Sequence, residues 1–231
     1  YFGLALPEII QDTLLLDEEI VNVEVWTYDE PRLYTVQEKQ LKNDKNKSFK
    51  AVYHLKENKT IQIETEEFPN SILSDEGNGN YALISNRKPY QLSSQWTGKF
   101  SANDLAVLNI ENGNSKMAIK ALPSPARFSP KGIYAYGYNE IDSTWFTYNV
   151  KTEKYTELTK GKKFYNELND TPNHPRSYGS AGWTKNDKRI LIYDRYDIWE
   201  FDPENISYKK LTDGRKSKTR FRAVNLDSDK K

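Results

Sequence analysis

Short apolar runs of about 4–7 residues alternate with polar turns along most of the chain, a pattern that predicts β-strands rather than helices. The clearest runs are Ile133 to Tyr138 (IYAYGY) and Ile190 to Tyr193 (ILIY). After a polar turn, each is followed by a second run, TWFTYN ending at Asn149 and DIWEFD ending at Asp202. A further turn leads to a short strand that closes on Leu158-Thr159 or Leu211-Thr212. An aromatic residue and a turn open each unit: Phe128 before Ser129-Pro130-Lys131-Gly132, and Trp183 before Thr184-Lys185-Asn186-Asp187. Two stretches thus share one grammar of four strands joined by Pro, Gly, Asn and Asp.

Fainter copies lie upstream. DLAVLNIENGNSKMAIKAL, Asp104 to Leu122, reads as the last two strands of an earlier unit, whose first two fall near Ile72-Leu73 and Asn80 to Ser85. Ile72, Phe128 and Trp183 then open three units at spacings of 56 and 55 residues. FKAVYHLKENKTIQIET, Phe49 to Thr65, is the same ending for a still earlier unit, whose opening is expected within Ile20 to Gln37. A repeat of this length with four short strands per period is the signature of β-propeller blades. The fold class expected is therefore all-β, a partial propeller of about four blades, each of four antiparallel strands. It would fill residues 1–231, with units near 20–68, 69–123, 124–175 and 176–214 and the start of a next element at 215–231. Residues 86–102 and 160–178 read as insertions, 37–48 as an exposed hairpin end or short helix, and Thr219 to Asp227 as the start of another blade or an exit from the array.

Composition narrows the chemistry. The chain has 231 residues, and Lys+Arg 34 against Asp+Glu 33 leave a net charge of +1. That balance gives no pull toward nucleic acid or an anionic membrane. Mean hydropathy is -0.86, and no apolar run approaches the length of a spanning helix. Cysteine is absent, which removes thiol catalysis, disulfides and cysteine-based zinc sites. No signal peptide is visible at YFGLALPEII, and both ends read as mid-protein sequence, so a fragment of a longer chain is expected.

Candidate chemistry is sparse. Ser180 in SYGSAGW has glycine neighbours, but Gly179 is one residue before it and Gly182 two after, whereas a nucleophile elbow needs two on each side. Its place just before Trp183 makes it part of the first, inner strand of a blade. The two histidines fall in a strand run (His54) and a Pro-rich loop (His174), with nothing to pair either with an activated serine. Asp170 with His174 makes at most half a metal site. The basic stretch Asp213 to Arg222 reads as a solvated turn and strand, and four glycosylation sequons carry no weight in so Asn-rich a chain.

RFSPKGIYAYGYNEIDSTWFTYNVKT, YGSAGWTKNDKRILIYDRYDIWEFDP and LTDGRKSKTRFRAVNLD resemble the propeller region of bacterial (Bacteroidetes-type) serine peptidases of the prolyl oligopeptidase family. VEVWTYDEPRLYTVQ and KSFKAVYHL fit the same group, so the resemblance runs from about Val23 to Asp227. It implies a propeller that limits access to a C-terminal α/β-hydrolase domain of the same parent chain, with peptide substrates and a periplasmic or secreted location. No catalytic residue is carried over, because the chain lacks G-x-S-x-G, and no cofactor or metal is implied. Dipeptidyl peptidases of this family hold a substrate amino terminus with paired glutamates in a W-x-Y-E-E segment. WTYDEP, Trp26 to Pro31, departs from that pattern at Pro31 but offers Asp29 and Glu30 as candidate substrate-binding carboxylates. The alternative is a stand-alone propeller that scaffolds protein or ligand binding without enzymatic activity.

Overall fold

The computed structural model describes residues 1–7, 16, 18–19, 27–98 and 102–224. Four antiparallel sheets follow one another along the chain. The first has three strands: β1 (Phe2–Ala5), β2 (Ser48–His54) and β3 (Lys59–Gln62). The second is β4 (Asn70–Leu73), β5 (Tyr81–Asn86), β6 (Asn103–Asn109) and β7 (Ser115–Leu122). The third is β8 (Arg127–Phe128), β9 (Tyr134–Asn139), β10 (Thr144–Asn149) and β11 (Tyr155–Glu157). The fourth is β12 (Ser180–Trp183), β13 (Ile190–Tyr193), β14 (Ile198–Asp202) and β15 (Ser207–Lys210). In the last three sheets every strand pairs with its sequence neighbour, so each is an up-and-down meander.

The sheets stack face to face, and the strand period of two shows how. In β5, Ala82 and Ile84 face the first sheet, where they meet Val52, Ile61 and Ile63. Leu83 between them faces the third sheet, where it packs with Phe146 and Tyr148. In β6 the same alternation sends Ala106 and Leu108 one way and Leu105 and Val107 the other. A sheet covered on both faces has no polar side, which is why these strands read as continuous apolar runs. A third interface joins Tyr138, Trp145 and Leu158 to Ile190, Ile192 and Phe201 of the fourth sheet. The first strands β4 and β8 approach each other at the inner edges of their sheets. Successive meanders stacked with their first strands inward are propeller blades, and the architecture is a β-propeller.

A hydroxyl series locks the first turn of each of the last three blades. Ser74, Ser129 and Thr184 stand 55 residues apart, and their Oγ atoms accept hydrogen bonds from the backbone N–H groups of Tyr81, Tyr134 and Arg189 at 3.0–3.1 Å. These turns also stack from blade to blade. Gly132 (φ 70°) lies so close to Ser74 that an added Cβ would come within 2.5 Å of the serine Cβ. On the next blade, the buried Asp187 carboxylate accepts from Ser129 Oγ (2.5 Å) and the amides of Lys131 (3.0 Å) and Ile133 (3.3 Å). At the same end of the blades, Asn109, Asn149 and Asp202 cap the outer hairpins by accepting from amides two residues on.

Several expectations need correction. The strand that pairs with β2 is β1, at the start of the chain, with Phe2 opposite Ala51. The opening expected within Ile20 to Gln37 lies partly outside the described residues (Ile20 to Trp26), and from Tyr34 onward it is helical. Helix α1 (Tyr34–Lys45) has no buried residue, and its sequence of Gln, Glu, Lys and Leu favours helix over strand. Arg32 ties its surface together by donating to Gln40 Oε1 and Asp44 Oδ2, both at 2.7 Å. The insertion between β5 and β6 is a second helix, α2 (Lys88–Thr97), ended by Gly98 in the left-handed region. The residues that open the units are not core residues: Phe128 and Trp183 are half-buried, and Ile72 is 47% exposed. Within Thr219 to Asp227, Thr219 to Val224 form no strand; the remaining three residues lie outside the described ones.

Candidate functional site

A cleft of about 400 Å3 opens where the chain feeds into the inner strands of the third and fourth sheets. Three segments build it. Ser124, Pro125 and Arg127 come from the connection into β8. Tyr136, Tyr138, Glu140 and Trp145 come from β9, its turn and the start of β10. Arg176, Ser177, Gly179 and Ser180 lead into β12. Tyr138 fastens the third segment to the second by donating to the Pro175 carbonyl at 2.9 Å. Burial pushes its phenol pKa up, so it stays a neutral donor. Gly137 lines the floor because a Cβ there would press on Phe146 and the Pro125 carbonyl at 3.1 Å.

The floor holds an anomaly. Ser124 and Trp145 are each 7% exposed, and neither Ser124 Oγ nor Trp145 Nε1 has a hydrogen-bond partner. Buried polar atoms are nearly always paired, so these two stand out among the residues that line the cleft. Arg127 at the rim is exposed and, among the described residues, makes no side-chain hydrogen bond or ion pair. A smaller cleft of about 250 Å3, lined by Ser74, Lys131, Gly132 and Lys151, sits over the stacked turns.

The candidates from the sequence are scattered. Ser180 lies on β12, which has a bulge between Ser180 and Gly182. His54 ends β2, with Nε2 2.6 Å from the Ile110 carbonyl oxygen of the second sheet. His174 is in an exposed loop, and neither imidazole is hydrogen-bonded to Ser180. Asp29 and Glu30 are both exposed in the stretch before α1, where Glu30 Oε2 accepts from Gln37 Nε2 at 3.3 Å. They are not among the residues of the cleft, and Trp26 beside them lies outside the described residues. Two of the three arginines of the basic stretch are engaged within the fold: Arg215 pairs with Glu167 (2.7 Å) and Asp194 (3.3 Å), and Arg222 covers the Tyr193 ring at 4.5 Å. Among the described residues no group of three or more His, Cys, Asp or Glu could hold a metal, and no helix is long and apolar enough to cross a membrane.

Sequence reasoning missed Ser124, Arg127, Tyr138, Trp145 and Arg176 as site residues. Arg127, Tyr138 and Trp145 belong to a repeat motif that read as architecture, Ser124 and Arg176 to connections outside it, and only the stacking of two blades brings them together.

No protein-family model matches the chain, and no curated protein does. Among solved structures, an oligogalacturonate lyase in complex with manganese is 10% identical, with a TM-score of 0.44 over 70% of this chain and 47% of that one. A putative TolB from Agrobacterium tumefaciens is 17% identical, with a TM-score of 0.38 over 68% and 51%. A TolB from Acinetobacter baumannii is 12% identical, with a TM-score of 0.30 over 71% and 43%. The chain thus spans about half the length of each of these.

Proposed function

We propose that this chain is the non-catalytic propeller of a prolyl oligopeptidase-like serine peptidase, gating substrate access to an α/β-hydrolase domain elsewhere in the parent protein. The observation that carries the reading is where the resemblance falls. GWTKNDKRILIYDRYDIW, its most specific stretch, runs from Gly182 in the inner strand of the fourth blade to Trp199 in β14, directly after the Gly179 and Ser180 that line the cleft. Ser180 fits a wall better than a nucleophile. Acyl transfer needs a base within hydrogen-bond reach of the serine and donors for the oxyanion. Ser180 instead lies on a strand with no imidazole bonded to it. In this reading the parent is exported to the periplasm or beyond, and Asp29 and Glu30 hold a peptide ammonium group.

A fluorophosphonate probe tests the proposal. The purified chain is expected to take up no label at Ser180, while the parent protein takes up label at a serine outside this chain and cleaves short peptides. Label on Ser180 would sink the non-catalytic reading. A parent that neither labels nor cleaves would identify a scaffold propeller instead.

A further inference from the structure

We propose that the face carrying α1 and α2 is the contact through which two copies of this chain pair about a two-fold axis. The proposal concerns how copies meet rather than what the parent cleaves, so it goes beyond the peptidase reading and holds equally for a scaffold propeller.

The two helices lack the support that short helices need. α1 has 12 residues and α2 has 10, and neither has a buried residue. Isolated helices of that length are marginal in water, and most helical stability in a protein comes from packing one face. α2 is tied to its own sheet by Tyr90, which donates to Asp104 Oδ1 at 2.6 Å. The helices meet where Gln95 Nε2 of α2 donates to the Pro31 carbonyl, just before α1. Gln37 of α1 holds the same stretch by donating to the Arg32 carbonyl at 2.8 Å.

Apolar side chains gather at this junction. Trp96 follows Gln95 directly, Leu33 and Val36 stand at the start of α1, and Tyr28 lies shortly before Pro31. All four are exposed, Tyr28 by 88% and Trp96 by 75%. Together they offer about 400 Å2 of apolar surface, a patch large enough to mark an interaction site. That is half of the roughly 800 Å2 that each partner buries in a stable interface, and the polar flanks of the two helices can supply the rest.

Charge selects a second copy as the occupant. Arg87 and Lys88 stand at the N-terminal end of α2, exposed, and neither side chain makes a hydrogen bond or ion pair among the described residues. No acidic residue lies in the first turn, so two positive charges sit unopposed at the end where the helix dipole favours negative ones. The opposite charge stands at the other end. Glu38, next to Gln37, is exposed and equally without a side-chain partner among the described residues. The length of α2 from Lys88 to Gln95 separates the two ends by roughly 10 Å. A face with unopposed bases at one end and an unopposed acid at the other complements itself. A half-turn brings the Glu38 of each copy toward the Arg87 and Lys88 of the other, with the apolar patch between them. A polyanion would be repelled by Glu38 and a polycation by the two bases, so neither matches both ends.

Sedimentation equilibrium of the 231-residue chain, from about 1 to about 100 μM, tests this. A reversible monomer–dimer equilibrium with a micromolar dissociation constant is expected. Trp96→Asp should raise that constant at least about tenfold and leave the circular dichroism unchanged, because the side chain is mostly exposed. Arg87→Glu with Lys88→Glu should also weaken pairing, by setting acid against acid. Adding Glu38→Lys to that double variant should restore it, which a general loss of surface complementarity would not do. A chain that stays monomeric at about 100 μM, a dimer that Trp96→Asp leaves intact, or a triple variant no better than the double would each overturn the proposal. Monomer throughout would give this face to another part of the parent protein. No catalytic domain takes part in the measurement, so failure here leaves the peptidase reading untouched, and failure of labelling and cleavage leaves this one untouched.

Discussion

Replacing Asp187 should weaken the joint between the third and fourth blades more than any comparable surface change. Its carboxylate is 2% exposed and accepts from Ser129 Oγ and from the amides of Lys131 and Ile133. Asp187→Ala leaves both amides and a buried hydroxyl without that acceptor, and each unsatisfied buried group costs about 1–3 kcal/mol. Partial rescue by water lowers the sum, so a loss of about 3–5 kcal/mol is expected. Asp187 also has φ 53°, where alanine is disfavoured by about 1–2 kcal/mol. Asp187→Asn separates the two effects: asparagine tolerates that conformation and keeps one oxygen acceptor, so it should lose about 1–2 kcal/mol. Both are read from the urea midpoint of the cooperative unfolding transition, with the slope checked for constancy. If Asp187→Ala costs less than about 1 kcal/mol, the carboxylate does not join the blades as argued.

Two further substitutions test other parts of the fold. Phe146→Ala removes a side chain with 0% exposure and should cost about 3–5 kcal/mol in the same urea assay. Trp183→Ala removes a half-buried ring that stacks on Tyr134 at 5.3 Å, so a smaller loss of about 1.5–3 kcal/mol is expected. The reverse order would mean that the second interface is not the core. Asp202 supplies a pH test. Burial works against its charged form, but hydrogen bonds from Asn205 and Glu204 and the Arg189 guanidinium outweigh it and hold its pKa below the usual carboxylate range. A carboxylate depressed in the folded state contributes stability above its unfolded pKa, near 3.9, and that stability is lost as pH falls through the folded value. Asp202→Asn should therefore flatten the decline in melting temperature below about pH 4. An unchanged acid limb would exclude Asp202 as its source.

The blade pattern was legible because a blade covered on both faces writes itself as an apolar run between turns. Aligning Tyr148-Asn149 with Phe201-Asp202, and Leu158-Thr159 with Leu211-Thr212, found the strands of the last two sheets. The same alignment explains two caps: Thr159 and Thr212 Oγ1 accept from the amides of Trp145 and Ile198. The hydroxyl series Ser74, Ser129 and Thr184 was equally visible as a spacing, yet serine and threonine in a turn look like ordinary turn chemistry. β1 escaped notice because it is four residues long and its partner lies more than forty residues away. A polar stretch suited both a hairpin end and a helix, and α1 was decided by local propensity with no core contact to overrule it. The cleft left no trace of its own. Its residues come from a repeat unit and two connections far apart in sequence, and the lack of a partner for Ser124 and Trp145 is a property of three-dimensional packing.

The stacked turns also bear on how such an array is inherited. Gly132 meets Ser74 and Asp187 meets Ser129, so each joint is made by the opening turn of one unit acting on the opening turn of the unit before it. The third unit carries both a receiving hydroxyl, Ser129, and its own contribution to the preceding joint, Gly132. A gene segment encoding one such period brings a complete set of joinery with it. Copying or deleting a whole period leaves matched ends, whereas a cut inside one strands a buried carboxylate or a hydroxyl. Lineages descended from this chain should therefore gain and lose blades in steps of about 55 residues, with breakpoints outside the stretch from the inner strand to the turn.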